Sequence, residues 1–226
     1  MAVAYDAFSS ASDAGGASNL AWTHTPTGTP RGILVWIVMT AYTPSGTNAT
    51  SCTYGGVDMG SPVEVIKTTG EVGSVCFYFL GSSIPTGAQT VTFDKVASCT
   101  AFGGCISLTA AANTEVVDSD NTINSDSATN PSVTLSLSSR TCFAGIGFFS
   151  GQGADTGITP LSSWTSRAEH DFTPSMAAVY SYDTIGSTDV TAGWTQAADD
   201  AFAVAVAVSE VAAGGGTAFI TSTLML

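Results

Sequence analysis

The sequence predicts an all-β protein, folded as an antiparallel β-sandwich of the jelly-roll or immunoglobulin-like type. Apolar runs of strand length recur about every 10–15 residues with turn residues between them. The composition agrees, because 24 of the 226 residues are glycine and only 10% are charged. No segment combines a sustained helical apolar period with capping residues.

In the first half, the almost wholly apolar run Arg31–Met39 is typical of a central strand that is covered on both faces. Tyr54-Gly55-Gly56 is a hairpin signal, and the turn from Pro85 to Gly87 separates two strands. After that turn, Gln89, Val91 and Phe93 alternate with polar residues, as in a half-buried strand. The strands predicted here span 3–9, 20–24, 31–39, 52–54, 63–67, 75–80, 90–95 and 103–109.

In the second half, residues 132–137 alternate strictly between polar and apolar side chains. Residues 201–211 alternate small and large apolar side chains, which predicts that one face packs closely on another sheet. Segment 113–131 is rich in Asp, Asn and Ser and predicts an exposed polar loop. The predicted strands span 132–137, 142–149, 164–170, 176–182, 190–195 and 201–211.

The domain organisation follows from these elements. Residues 1–211 form the predicted single β-sandwich domain, since no repeat of fixed period is apparent in the sequence. Residues 212–226 form a glycine-rich linker and an apolar C-terminal tail.

The charge balance excludes several classes of partner. The net charge is -13, from 18 acidic and 5 scattered basic residues, so the surface repels nucleic acid and anionic membranes. No apolar run is long enough to cross a bilayer, and the N-terminus has neither the basic nor the apolar region of a secretory signal. We therefore expect synthesis in a cytoplasm.

The five cysteines disfavour a disulfide framework, because their number is odd and their spacing is dispersed. Cys99 and Cys105 bracket a short glycine-containing segment, and they are the candidate pair for a disulfide formed on exposure to air. Cys76 and Cys142 lie in apolar strand runs, where a free cysteine acts as a small hydrophobic residue.

The sequence contains no local signature of catalysis or of a cofactor site. His24 and His170 are its only histidines, neither stands in a hydrolase motif, and His170 is expected to be a solvated residue at a strand end. The polar segment contains the carboxylates of Asp118, Asp120 and Asp126. It is therefore either a calcium-binding loop or a solvated polar loop. The EF-hand spacing fails, because Ile123 stands where that loop requires glycine.

Two other features bear on binding. Trp164 follows a turn, and Tyr180 and Tyr182 share a strand face, so an exposed aromatic platform for sugars is one alternative. The tail follows the hinge Gly214-Gly215-Gly216. Three alternatives stand for this apolar, β-prone segment: it folds back on its own sheet edge, adds as a strand to a neighbouring subunit, or is disordered. The tail residues predicted to bind a partner are Phe219, Ile220, Leu224, Met225 and Leu226.

Four segments together resemble the β-sandwich structural proteins of tailed bacteriophages. They are Ala2–Ala7, Leu20–Thr25, Thr53–Met59 and Ile84–Val91, joined by Ser187-Thr188-Asp189 and the terminal Ala-Val strand. The resemblance covers residues 1 to 211 and consists of turn and core positions, so it supplies no catalytic residue. The linker and tail depart from it.

The resemblance implies a non-enzymatic virion protein. We expect a capsid decoration (cement) protein on the capsid exterior that stabilises the phage head across capsomers. Its expected partners are the major capsid protein and copies of itself, with a homo-oligomer, such as a trimer, natural at a three-fold position. The alternative is a tail or fibre component, or a carbohydrate-binding receptor module.

Overall fold

The computed structural model describes residues 2–40, 51–66, 72–95, 99–151, 158–161, 163–172, 175–186 and 188–211. The strands of the first half are β1 (Ala4–Asp13), β2 (Asn19–His24), β3 (Gly32–Thr40), β4 (Cys52–Tyr54), β5 (Val57–Asp58), β6 (Val63–Ile66), β7 (Val72–Leu80), β8 (Gln89–Asp94) and β9 (Thr100–Thr109). Those of the second half are β10 (Thr114–Ala128), β11 (Ser132–Leu135), β12 (Cys142–Ser150), β13 (Thr159–Pro160), β14 (Thr165–Asp171), β15 (Met176–Ile185), β16 (Val190–Thr195) and β17 (Asp199–Glu210). The predicted all-β class is confirmed.

The strand order divides the chain into two sandwiches of one topology. In the first, an inner sheet has the order β1-β9-β3-β7-β6 and an outer sheet the order β2-β8-β4-β5. In the second, the inner sheet is β10-β17-β12-β15-β14 and the outer sheet is β11-β16-β13. In each half, consecutive strands cross repeatedly between the two sheets, which is the double Greek-key arrangement of a jelly roll. The described residues therefore form two jelly rolls in tandem, while the prediction that residues 1–211 make one domain stays a prediction.

The two halves differ at one position of the outer sheet. The first sandwich turns through Gly55 and Gly56, both with positive φ, into β5. The second passes from β13 to β14 in only four residues, 161–164, which leaves no length for a counterpart of β5. Pro160 stands at the edge of the shorter sheet, where a missing N–H discourages the addition of a further strand.

Three apolar cores separate four stacked layers. Alternation along β3 shows this, because Ile33, Val35 and Ile37 face the first outer sheet while Leu34 and Trp36 face the second sandwich. The same division holds in β17, whose alanines face the second outer sheet while Phe202, Val204, Val206 and Val208 face the first sandwich. The predictions of a doubly covered β3 and of a closely packed terminal strand are both confirmed.

One tryptophan, Trp36, packs in the interface between the two inner sheets. The Trp36 side chain is fully buried and lies against Gly145 and Gly147 of β12. A Cβ added at Gly147 would stand 2.5 Å from Cδ1 of Trp36, so only glycine admits the indole there. Trp36 Nε1 donates to the carbonyl of Val204 at 3.1 Å, and Ser74 Oγ donates to that of Gly147 at 2.9 Å.

Side chains also close both edges of this interface. On one edge, the Arg167 guanidinium lies over the Tyr5 ring, 3.8 Å from its centroid. On the other, Asn121 Nδ2 donates to the carbonyl of Glu64 on β6 at 3.3 Å. Each inner sheet thereby helps to cover the strand edges of the other.

The polar segment 113–131 is the main error of the sequence prediction. Instead of a loop, it holds the 15-residue strand β10, which pairs antiparallel with β17 at the edge of the second inner sheet. Its polar side chains do not form a core pattern, but edge strands of soluble proteins are often polar because this prevents aggregation. The tertiary pairing with β17 overrides the weak strand propensity of Asp, Asn and Ser.

Candidate functional site

A serine and a histidine come together in the first sandwich, where β1 meets β2. His24, the last residue of β2, is fully buried, and its Nδ1 lies 2.8 Å from Ser9 Oγ on β1. Trp22 Nε1 donates to the same Ser9 oxygen at 3.0 Å, which leaves the Ser9 hydroxyl hydrogen available to His24. Sequence reasoning located His24 near a strand end but did not reveal this pair, which depends on how β1 and β2 are brought together.

The electrostatics of this pair are those of a neutral structural histidine. Desolvation lowers the pKa of His24 to about 4, so the ring is uncharged at neutral pH. The nearby Asp6 carboxylate does not orient the ring, because it accepts hydrogen bonds from Thr27, Gly28 and Ser107 instead. A serine beside a histidine is a requirement for nucleophilic catalysis, but a fully buried base has no access to substrate. We interpret the pair as a structural contact that joins β1 to β2.

His170 is positioned differently from the prediction of a solvated residue. It lies on β14, half-buried between Phe102 and Phe172, and its ring is parallel to Phe102 with the centroids 5.6 Å apart. Phe102 belongs to the first sandwich and His170 to the second, so the stack contributes to the contact between them. Desolvation lowers the pKa of His170, which keeps it largely neutral.

A buried polar side chain stands at equivalent positions in the two sandwiches. Lys95 follows β8 and donates from Nζ to the carbonyls of Ala17 and Cys99, and it forms an ion pair with Asp13 at 2.6 Å. Gln196 follows β16 and donates to the carbonyl of Asp199 at 3.1 Å. Each side chain holds the loop that leads into the last strand of its sandwich, so these groups serve the fold.

The candidate disulfide between Cys99 and Cys105 is contradicted. All five cysteines are free and buried. Residues 100–109 form β9, and six residues of extended chain span about 20 Å, whereas a disulfide needs Cα atoms within about 7 Å. Burial raises the pKa of the Cys99 thiol to about 11, so this cysteine is a poor nucleophile as well.

The candidate calcium loop stays a prediction, although two of its three carboxylates have partners within the chain. Asp118 and Asp120 lie on strand β10, and their carboxylates accept backbone N–H groups of Ser119, Ser136 and Asn121. The Asp126 side chain lies outside the described part. Among the described residues, no group of three or more His, Cys, Asp or Glu side chains is placed to hold a metal ion.

The aromatic platform is not assembled as predicted. Trp164 is 7% exposed, packs edge-on against Tyr182, and donates from Nε1 to the carbonyl of Thr191. Tyr180 is fully buried, and its hydroxyl donates to Glu169 at 3.1 Å. These rings belong to the core between the second inner and outer sheets, because the turn before Trp164 folds it inward.

The predicted partner-binding residues, Phe219, Ile220, Leu224, Met225 and Leu226, lie outside the described residues. The structure does show the position of the last described residues, Glu210 and Val211. The N–H of Val211 donates to the carbonyl of Asn113 at 2.8 Å, and Glu210 accepts the N–H of Ala111 at 2.7 Å. The tail therefore starts beside the connection that joins the two sandwiches.

The described surface is polar. Val57 is the one large apolar side chain that is well exposed among the described residues, at 42%. The described part contains no helix with the length and apolar character needed to span a membrane. No protein family, curated protein or solved structure matches this chain.

Proposed function

We propose that this chain is a non-enzymatic structural protein of a tailed bacteriophage, and that it decorates the exterior of the capsid. The observation that carries the proposal is the pair of jelly rolls, an architecture common in viral capsid proteins. Their cores are closed, and the chemically reactive side chains around His24, Lys95 and Gln196 are used to hold strands and loops. The resemblance of residues 1–211 to phage sandwich proteins supports the same setting.

The tail supplies the contact with a neighbouring subunit in this proposal. Its apolar residues, such as Phe219 and Leu224, need an apolar surface, and the described part of the chain offers little beyond Val57. Docking in trans, on the major capsid protein or on another copy, satisfies that need by strand addition. Many symmetry-related copies then multiply a modest contact into stabilisation of the shell.

The distribution of charge favours a contact made by the tail rather than by residues 1–211. Among the described residues, basic side chains are paired in Lys95–Asp13, Arg140–Glu115 and Arg167–Asp183. The surplus of acidic residues favours solubility and discourages association through residues 1–211, which carry all of the charged side chains. A tail without charged side chains is the segment best suited to contact a neighbour.

The alternative of a carbohydrate-binding receptor module loses its main support, because Trp164 and Tyr180 lie in a core. A tail or fibre location remains the second candidate, and the copy number per particle distinguishes it from the capsid surface.

Truncation after Gly214 tests the role of the tail. We expect the full-length chain to bind particles purified from a producing culture, and the truncated chain to lose most of its occupancy and any self-association. The fold of residues 1–211 should be unaffected, which circular dichroism and thermal unfolding of both chains would check. Equal occupancy and an equal oligomeric state of the two chains would contradict docking through residues 217–226.

A further inference from the structure

The edge strand β1 is held in place by an unusual set of contacts. It forms the edge of the first inner sheet and pairs along one side only, with β9. Three further contacts, spread along its length, involve an ionisable side chain each. They are the carboxylate of Asp6, the Ser9–His24 pair, and the ion pair of Asp13 with Lys95.

The Asp6 contact depends on an ionised carboxylate. Its oxygens accept the N–H groups of Thr27 and Gly28, at 3.1 and 3.0 Å, and the hydroxyls of Thr27 and Ser107. Partial burial raises the pKa of Asp6, but the hydrogen bonds from Thr27, Ser107 and Gly28 outweigh burial and hold the pKa below its usual value. Protonation removes acceptor capacity from this contact.

The His24 contact depends on a neutral ring. The ring is fully buried and faces Ser9 and Asp6 from β1 and Tyr54 from β4, with the Tyr54 ring centroid 6.3 Å away. The Cys105 thiol of β9 lies near Tyr54, and burial raises the pKa values of both groups, so neither supplies a negative charge. Only Asp6 favours a charged imidazole, and it does not overcome desolvation.

The Asp13 contact depends on an ion pair. The Lys95 side chain is fully buried, and Asp13 is its charged partner at the end of β1. The Cys99 thiol is near enough to feel both charges, but burial raises its pKa, so it adds no negative charge. The hydrogen bond and the charge of Lys95 lower the pKa of Asp13. When Asp13 is protonated, Lys95 keeps only carbonyl partners.

All three contacts weaken in the same direction of pH. A carboxyl group with a lowered pKa contributes stability that is lost as pH falls through its folded-state value, here below the ordinary 3.8. A buried histidine that is neutral in the fold lowers the free energy of unfolding progressively as pH falls from 6.5 to about 4, because only the unfolded state takes up the proton in that range. No contact of the three gains strength on acidification.

We propose that β1 is a strand released by acid, which detaches from the first sandwich while the second sandwich remains folded. Its departure exposes the edge of β9, whose residues 101–108 are all buried in the native fold. It also removes Tyr5 from beneath Arg167, and so loosens one edge of the interface between the sandwiches. Acid thus replaces the partly exposed edge strand β1 with the buried strand β9 as the edge of the sheet, and a newly open apolar edge is of the kind that pairs with other chains.

Hydrogen exchange of the full-length chain, read by mass spectrometry at pH 7 and pH 3 and corrected for intrinsic exchange rates, tests this proposal. Amides of residues 4–13 should exchange at least about tenfold faster at pH 3 relative to those of β12, the factor that one unit of pKa shift supplies. Equal protection of β1 and β12 at pH 3 would overturn the proposal. So would a simultaneous loss of protection in β1, β10 and β12, which would mean global unfolding.

Two matched variants separate the contacts from general effects of charge. Asp13→Asn removes the partner of Lys95 and should speed β1 exchange already at pH 7. Asp94→Asn alters a carboxylate of β8 in the outer sheet that accepts the Ser51 hydroxyl at 2.8 Å, so it should leave β1 exchange unchanged. Equal effects of the two variants on β1 would contradict the proposal. Should Asp13→Asn fail to fold, Asp6→Asn tests the same strand from its other end.

Discussion

Replacing Trp36 with alanine is expected to lower the free energy of unfolding by about 3–5 kcal/mol, as for other large aromatic truncations in a core. The side chain is fully buried between the two sandwiches, and its Nε1 hydrogen bond to Val204 is lost with it. The cavity cannot be refilled easily, because Gly145 and Gly147 opposite have no side chains that could move into it. Urea denaturation measures the change.

Two further variants sharpen this prediction. Trp36→Phe keeps most of the ring but loses the hydrogen bond, so it should cost less than alanine. Val57→Ala removes an exposed apolar side chain and should change stability by less than about 0.5 kcal/mol. A loss below about 1 kcal/mol for Trp36→Ala would show that the inner sheets are not held together as described.

Replacing Gly147 with alanine is expected to destabilise the protein by about 1–3 kcal/mol, the usual cost of overpacking. The added Cβ would lie 2.5 Å from Cδ1 and 2.7 Å from Cβ of Trp36, which are rigid parts of a buried side chain. Gly186→Ala is the matched control, since an added Cβ there meets no atom within 4 Å and the backbone φ is not positive. Equal stability of the two alanine variants would contradict the described packing.

The two substitutions should also be coupled. When Trp36 is already alanine, the new methyl group at Gly147 has space, so the double variant should be more stable than the sum of the single effects predicts. Strict additivity would mean that the two positions do not touch.

Most of the strands were predictable, because they obey simple apolar patterns. The wholly apolar segment around Val35 and the alternation from Ala201 to Val208 identify layers covered on two faces by their residue types alone. The Gly55-Gly56 hairpin and the turn at Gly87 are equally local, and the positive φ values at these glycines confirm them.

The duplication was not predictable from the sequence, because the two sandwiches share a strand order and few side chains. Strands β3 and β12 hold the same position in the two sandwiches. However, β3 carries the large side chain of Trp36, whereas β12 has glycines where Trp36 contacts it, so the two strands need residues of opposite size. Lysine at position 95 and glutamine at 196 perform the same role with different chemistry. A search for repeated residues does not detect a repeat of this kind.

The site predictions failed where tertiary contacts decide the environment. Trp164 looks exposed beside a turn, yet the fold turns it inward against Tyr182. His24 lies near a strand end, but it is buried and its Nδ1 contacts Ser9, which belongs to another strand. Cys99 and Cys105 are close in sequence, but an extended strand holds them far apart. The residues of the tail lie outside the described part, and their role stays a prediction.

The copy number of the chain in purified particles, determined by quantitative mass spectrometry relative to the major capsid protein, tests the proposed function most directly. A decoration protein of the capsid surface predicts on the order of hundreds of copies per particle, as the symmetry of a shell requires. A handful of copies would instead place the chain in the tail. Its absence from particles would contradict a virion role altogether.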